Sequence, residues 1–164
     1  YYTGAYMADF EDIIDGKVEG VRITDMGSFV KDTQKSDFVQ HNDKMACNID
    51  RSYYGVSATY SENYKPMVLE IDRCKSLFTL MLRAGTSKIV NGRYKVEING
   101  EMIENDTLTC SLSDTKDNSQ LESWYHWASA NLYKSKTPQK LTVKIYPTGK
   151  DPMSKVTLYS LLLS

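Results

Sequence analysis

The stretch SLFTLMLRAG, residues 76–85, decides the fold class. Its apolar residues occupy neighbouring as well as alternate positions, so a β-strand formed here presents apolar side chains on both faces. That pattern is typical of a central strand that is covered on both sides. The stretch therefore predicts a sheet in a two-layer structure.

Similar segments, rich in β-branched and aromatic residues, precede and follow this stretch, with turn residues between them. They are VEGVRI (18–23), YYGVSATY (53–60), MVLEID (67–72), RYKVEI (93–98), GEMIE (100–104), LTCSLS (108–113), WYHWASANLY (124–133), KLTVKIYP (140–147) and VTLYSLLL (156–163). In one of them Leu141, Val143 and Ile145 alternate with polar residues, as in a strand with one buried face. About ten short strands in one chain of this size predict an all-β domain, either a β-sandwich or a jelly roll.

Local turn signals refine this picture. Asn99-Gly100, between KVEI and EMIE, predicts a type I′ hairpin because both central residues need positive φ. Near the start, MADFEDIID (7–15) has the composition of a short helix that Gly16 and Gly20 would end. We therefore expect residues 1–8 to be a candidate tail and residues 9–164 to form a single domain.

Composition excludes several classes of function. The net charge is −1, whereas nucleic-acid-binding domains usually carry a basic face. No apolar run approaches the roughly 20 residues that span a bilayer, so membrane insertion is not expected. We therefore predict neither a nucleic-acid partner nor insertion into a membrane.

The residues that usually carry catalysis or bind metals show no recognisable spacing. His41 and His126 are the only histidines, and Cys47, Cys74 and Cys110 do not form a C-x-x-C pair. Three buried thiols is the preferred interpretation, and one disulfide with one free thiol is the alternative. No nucleophile elbow, zinc-protease or P-loop motif occurs, so the sequence favours binding over catalysis.

Five features stand in the order found in carbohydrate-binding modules of families 6 and 35. They are Arg83-Ala84, Asn99-Gly100, the pair Trp124 and Trp127, the aliphatic strand 141–145 and the closing strand 156–161. Over residues 67–164 the chain resembles these families. The resemblance implies a galactose-binding-like jelly roll that binds an oligosaccharide or polysaccharide without catalysis. It also implies an extracellular or cell-surface location and attachment to a catalytic or adhesion domain.

The same resemblance assigns different roles to the two tryptophans. In those modules the first Trp of W-x-x-W often stacks on a sugar ring, which implies Trp124, and the second packs in the core, which implies Trp127. A spacing of three puts the two residues on opposite faces of a regular strand, and His126 on the same face as Trp124. The alternative is that both rings are structural.

Further site residues follow from the resemblance by position. Tyr53 and Tyr64 are the candidates for a second aromatic contact, Asn118 and Gln120 are polar candidates, and Lys150 and Asp151 stand in the loop where the families often have Asn. Many members also hold a structural calcium ion with two early acidic residues and an Asp in the closing strand. Here Asp9 and Glu11 supply oxygens, but Thr157 stands near the expected Asp, which leaves the calcium site in doubt.

A second function remains open on the same fold. A protein-interaction or adhesion domain would use a Tyr-rich surface, and the chain has 12 tyrosines. Because one fold carries many functions, the fold alone does not choose between these two hypotheses. A screen of the isolated domain against glycans would separate them.

Overall fold

A computed structural model describes residues 6–31, 36–38, 51–53, 55–59, 62–85, 94–103, 124–147, 155–158 and 160–164, with the backbone alone described at 36–38, 51–53, 59, 78–85, 124–131 and 155–157. The elements are β1 (Tyr6–Asp9), α1 (Phe10–Ile14), β2 (Val21–Asp25), β3 (Val30–Lys31), β4 (Ser36–Phe38), β5 (Arg51–Tyr53), β6 (Val56–Thr59), β7 (Met67–Gly85), β8 (Tyr94–Ile98), β9 (Glu101–Ile103), β10 (Trp124–Pro147), β11 (Lys155–Leu158) and β12 (Ser160–Leu163). The predicted all-β class is confirmed. The segment LTCSLS and two of the cysteines, Cys47 and Cys110, lie outside the described residues.

The strands form antiparallel sheets. The largest runs in the order β1-β12-β7-β10-β8-β9, and β2 pairs with β7 beside β12. A second sheet has the order β11-β6-β3, and β4 pairs with β5 as a separate ribbon. The opening stretch 76–85 is thus part of a central strand, as predicted, because β7 has neighbours on both edges.

Four of the expected short strands are halves of two longer ones. MVLEID and SLFTLMLRAG join into the 19-residue β7, and WYHWASANLY and KLTVKIYP join into the 24-residue β10. The sequence suggested separate strands because polar residues interrupt the apolar pattern at 72–76 and 134–140. In the structure those polar residues occupy an irregular part of the same ladder.

One hydrophobic core joins the two sheets. Leu69, Ile71 and Leu141 from the large sheet are fully buried, as are Val56 and Leu158 from the second sheet, and all belong to one cluster. The predicted alternation of strand 141–145 is confirmed, since Leu141, Val143 and Ile145 are buried and the residues between them are half-buried. Burial of apolar surface between two layers is the main stabilising contribution in such a fold.

The predicted N-terminal tail, residues 1–8, includes residues that belong to the sheet. Residues 6–8 lie in β1, which pairs with β12 in register from Tyr6↔Leu163 to Asp9↔Ser160, and Ala8 is buried. The expected short helix follows as α1, which buries Phe10 and Ile13, and Gly16 after it has φ of 72°. The sequence analysis missed β1 because YMAD, with four residues, is too short to show a strand pattern.

The predicted hairpin is present between β8 and β9. Asn99 has φ of 50° and Gly100 of 87°, and the pair Ile98↔Glu101 closes the turn. Asn99 also bonds the neighbouring strand: its side-chain oxygen accepts from the Thr142 amide at 2.8 Å and its side-chain nitrogen donates to the Lys140 carbonyl at 3.2 Å. The turn residue therefore extends the β8–β10 ladder.

Among the described residues, no helix has the length and apolar character needed to cross a membrane.

Candidate functional site

The backbone places the two tryptophans at one end of the β7–β10 pair. Trp124 is the first residue of β10 and pairs with Gly85, the last residue of β7, and Trp127 pairs with Leu82. We call this the Trp124 end of the sheet. It is a strand terminus, which is where side chains that contact ligands are commonly held by a rigid scaffold.

Tyr64 lies at the other end of β7. It stands three residues before Met67, the first residue of β7, and is half-buried. Trp124 instead pairs with Gly85, the last residue of β7. The sequence did not show that 67–85 forms one continuous strand, and one site that contains both residues stays a prediction.

For the other predicted sugar contacts, the structure describes either the position of the backbone alone or no position. His126 pairs with Arg83 near the Trp124 end, and Tyr53 pairs with Ser36 in the β4–β5 ribbon. Asn118, Gln120, Lys150 and Asp151 lie outside the described residues. In sequence, Gln120 is four residues before Trp124, and Lys150 is three residues after Pro147, at the opposite end of β10.

The two predicted metal ligands are near the start of the chain. Asp9 is 4% exposed, and its Oδ1 accepts a 2.8 Å hydrogen bond from the Ser160 hydroxyl, which is also buried. Glu11 is half-buried in the first turn of α1. Thr157, which we expected near the family's closing Asp, lies in β11 opposite Ser57 in the second sheet. Ser160 in β12 is instead the residue that faces Asp9.

These residues do not fit a calcium site by themselves. Calcium takes six to eight oxygen ligands, and one Asp9 oxygen already accepts from Ser160. Among the residues that the structure describes, no three His, Cys, Asp or Glu side chains lie close enough to hold a metal ion. The Asp9–Ser160 pair acts as a buried hydrogen bond that joins β1 to β12.

A feature that the sequence analysis missed lies halfway along the β7–β10 pair. Lys134 pairs with Ser76, but the next pair is Gln139 with Cys74, so β10 spends three more residues than β7 over this interval. Such an excess makes a bulge that turns the strand out of the ladder. Residues 135–138 form this bulge.

The bulge borders a groove of about 600 Å³. We call it the lysine groove and define it by the residues that line it: Lys75, Ser76, Lys134, Ser135, Lys136 and Ser164. The three lysines are exposed. The motif KSK at 134–136 was the available signal, and it was missed because it lies between two apolar segments that resemble separate strands.

Cys74 lies buried beneath this region. Its thiol donates to the Ser76 carbonyl at 3.1 Å, and burial raises its pKa, although hydrogen bonds from the backbone at Ser164 and Ser76 act in the opposite direction. It is a free thiol, which agrees with the preferred interpretation for this one cysteine. Burial favours the neutral thiol because the thiolate would lose its hydration.

No protein-family model matches the chain. No curated protein matches it either.

Solved structures do match. A family 35 carbohydrate-binding module from Clostridium thermocellum shares 11% identity over 96% of this chain and 97% of its own, with a TM-score of 0.42. The family 35 module of Paenibacillus barcinonensis shares 10% identity over 97% of this chain and 98% of its own, also at 0.42. Both of these matches are family 35 modules.

A third match is a longer protein. The β-(1,4)-mannanase of Podospora anserina, which joins a family 26 glycoside hydrolase to a family 35 module, shares 11% identity with a TM-score of 0.43. The match covers 98% of this chain and 27% of the mannanase.

Proposed function

We propose that the chain is a non-catalytic carbohydrate-binding module whose glycan site lies at the Trp124 end of the sheet. The observation that carries the proposal is the position of Trp124, which is the first residue of β10 and pairs with the last residue of β7. A residue there stands where the strand meets the polar segment that contains Asn118 and Gln120. This is the arrangement that the loop-edge hypothesis requires.

The chemistry of these residue types suits a sugar. The apolar C–H face of a pyranose lies flat on an aromatic ring, and a rigid aromatic binds at low cost in conformational entropy. Amide side chains such as those of Asn118 and Gln120 both donate to and accept from hydroxyl groups. His126, two residues after Trp124 on the same strand face, adds a ring that can donate or accept.

Other parts of the proposal follow from the sequence resemblance. The module functions outside the cell or at its surface, attached to a catalytic or adhesion domain, and acts by holding that partner on its glycan. Tyr53 is retained as a candidate second aromatic, whereas Tyr64 stands before β7, at the other end of the β7–β10 pair. Lys150 and Asp151 remain polar candidates from the sequence resemblance. Calcium contributes little, and a thermal melt with and without EDTA tests this.

The proposal is tested by a glycan array followed by two matched substitutions. Trp124→Ala should abolish binding of a responsive glycan and leave Tm almost unchanged. Trp127→Ala should lower the free energy of unfolding by roughly 3–5 kcal/mol, the usual cost of deleting a buried large aromatic. Wild-type affinity is expected between micromolar and millimolar, about −4 to −8 kcal/mol, so one lost contact makes binding undetectable.

The outcomes separate the two hypotheses. If Trp124→Ala unfolds the chain as badly as Trp127→Ala, both rings are structural and the Trp124 end is not the sugar site. If the intact chain binds no glycan on the array but retains a defined protein partner, the adhesion hypothesis replaces the carbohydrate hypothesis.

A further inference from the structure

The lysine groove combines positive charge with hydroxyl groups. Lys75, Lys134 and Lys136 line it together with Ser76, Ser135 and Ser164. Every one of these side chains can donate a hydrogen bond, and the three ammonium groups can only donate. A complementary ligand is therefore rich in acceptor oxygens and negatively charged.

Within the described part of the chain, none of the three lysines of the groove forms an ion pair. Asp72, three residues before Lys75 in β7, pairs with Arg22 at 2.9 Å instead. The chain as a whole has a net charge of −1, so attraction of an anion must come from this local cluster rather than from overall charge.

The bulge that carries Lys136 is held by its own side chains. The Ser135 hydroxyl accepts from the Thr137 amide at 3.3 Å, and the Gln139 side-chain nitrogen donates to the Thr137 hydroxyl at 2.9 Å. Such local bonds stabilise a turn-like backbone outside the ladder. Lys134 and Lys136 are thus fixed two positions apart in a preformed segment, which lowers the entropy lost on binding.

The floor of the groove is also held in place. The Ser76 and Ser164 hydroxyls lie 2.6 Å apart, and the backbone pairs Ser164 N to Ser76 O at 3.0 Å and Ser76 N to Ser164 O at 3.1 Å. In a hydroxyl pair one proton bridges the two oxygens, so one O–H remains able to donate to a ligand. Lysines on two strands therefore surround a hydroxyl-lined floor.

We propose that the lysine groove binds the carboxylate or sulfate groups of an anionic polysaccharide, as a second site apart from the Trp124 end. That the ligand is a polysaccharide rests on the proposed carbohydrate-binding function. That it is anionic follows from the three lysines that line the groove. A single-stranded nucleic acid is less suitable, because such sites combine charge with stacking aromatics and no aromatic side chain lines the groove among the described residues.

The test uses the full chain and three probes of different charge: neutral galactomannan, carboxylated polygalacturonate and sulfated dextran. Binding is measured by titration at 50 and 200 mM NaCl. At least one anionic probe should bind, and the higher salt should weaken its binding roughly 20-fold, because about three cationic contacts release counterions. Comparing the polygalacturonate with the sulfated dextran shows which anionic group the groove prefers.

The variant is the triple substitution Lys75→Gln, Lys134→Gln and Lys136→Gln. The matched control is Lys17→Gln, Lys65→Gln and Lys95→Gln, which removes the same charge from three exposed lysines that do not line the groove. The groove variant should bind the anionic probe at least tenfold more weakly, and the control less than twofold. Circular dichroism and Tm confirm that both variants are folded.

Three results would overturn the proposal. They are absence of anionic binding at 50 mM NaCl, equal losses in the groove and control variants, and an oligonucleotide of matched charge that binds as tightly as the anionic glycans. Failure here is distinct from failure at the Trp124 end. The groove variant should keep any binding of a neutral glycan, and Trp124→Ala should keep the salt-sensitive binding of the anionic one.

Discussion

Two neighbouring regions of the same strand pair differ in what they contribute. In the aliphatic half, Met67–Ile71 pairs with Leu141–Ile145 residue by residue, and Leu69, Ile71 and Leu141 are buried. In the bulge region, Asp72–Ser76 faces residues 134–139 with a shifted register and exposes lysines to solvent. Regular pairing builds the core. A few residues away, the shift in register leaves lysine side chains exposed on the surface.

The largest loss of stability is expected from a substitution in the aliphatic half. Leu141→Ala should lower the free energy of unfolding by about 2–5 kcal/mol, because it deletes a fully buried side chain and leaves a cavity. The exposed Lys136→Ala should change it by no more than about 0.5 kcal/mol. Urea unfolding of both variants measures the difference. Similar losses would mean that the bulge region is as important for stability as the core.

A buried polar contact should have the next largest effect. Ser160→Ala removes the hydroxyl that donates to the buried Asp9 carboxylate, which should cost about 1–3 kcal/mol because a charged acceptor loses a donor away from water. The double substitution Asp9→Asn with Ser160→Ala completes a double-mutant cycle. Additive losses in the cycle would show that the two side chains do not stabilise each other.

Asn99 marks the boundary between the two regions, because its side chain bonds to β10 at Lys140 and Thr142. Asn99→Ala should cost about 1–2 kcal/mol, since it removes both hydrogen bonds and places Ala at positive φ. Asn99→Gly should cost less, because Gly accepts this φ at little cost. If the two variants are equally stable, backbone conformation is unimportant here and the hydrogen bonds account for the whole loss.

Sequence patterns predicted the aliphatic half well and the bulge region poorly, for a physical reason. Alternation of apolar and polar residues at 141–145 indicates directly which side chains are buried. Asn99-Gly100 indicates a turn with positive φ at both positions, a conformation that few residue pairs adopt. A bulge has no such signature, because KSKTPQ resembles an ordinary polar loop. The pattern therefore predicted two strands where the structure has one.

The candidate site shows the same limit. The family resemblance grouped Trp124 and Tyr64 in one predicted site, whereas the structure places Trp124 at the start of β10 and Tyr64 three residues before β7. Which end of a strand a residue occupies depends on how many segments join into that strand, and local composition does not report this. The partner of Asp9 was missed for a similar reason, since only the β1–β12 register identifies Ser160.

The smallest expected effect concerns Cys74. Its reactivity tests whether the core beneath the bulge is closed to solvent and reagents. Because burial raises the pKa of this thiol above its usual 9.0, less thiolate is present in the folded chain at a given pH. Alkylation of Cys74 by iodoacetamide at pH 8 should therefore be much slower in the folded than in the urea-unfolded chain, since the thiolate is the nucleophile. Peptide mapping by mass spectrometry follows this cysteine separately from the other two.

The same pKa direction fixes the sign of the pH dependence. Below pH 9 both states hold the proton and the contribution of Cys74 to stability is complete; as the pH rises past 9, the unfolded chain ionises first and that contribution is lost. Cys74→Ala should remove this part of the alkaline decline in Tm. Rapid alkylation of the folded chain would instead show that the bulge opens and that the lysine groove is not preformed.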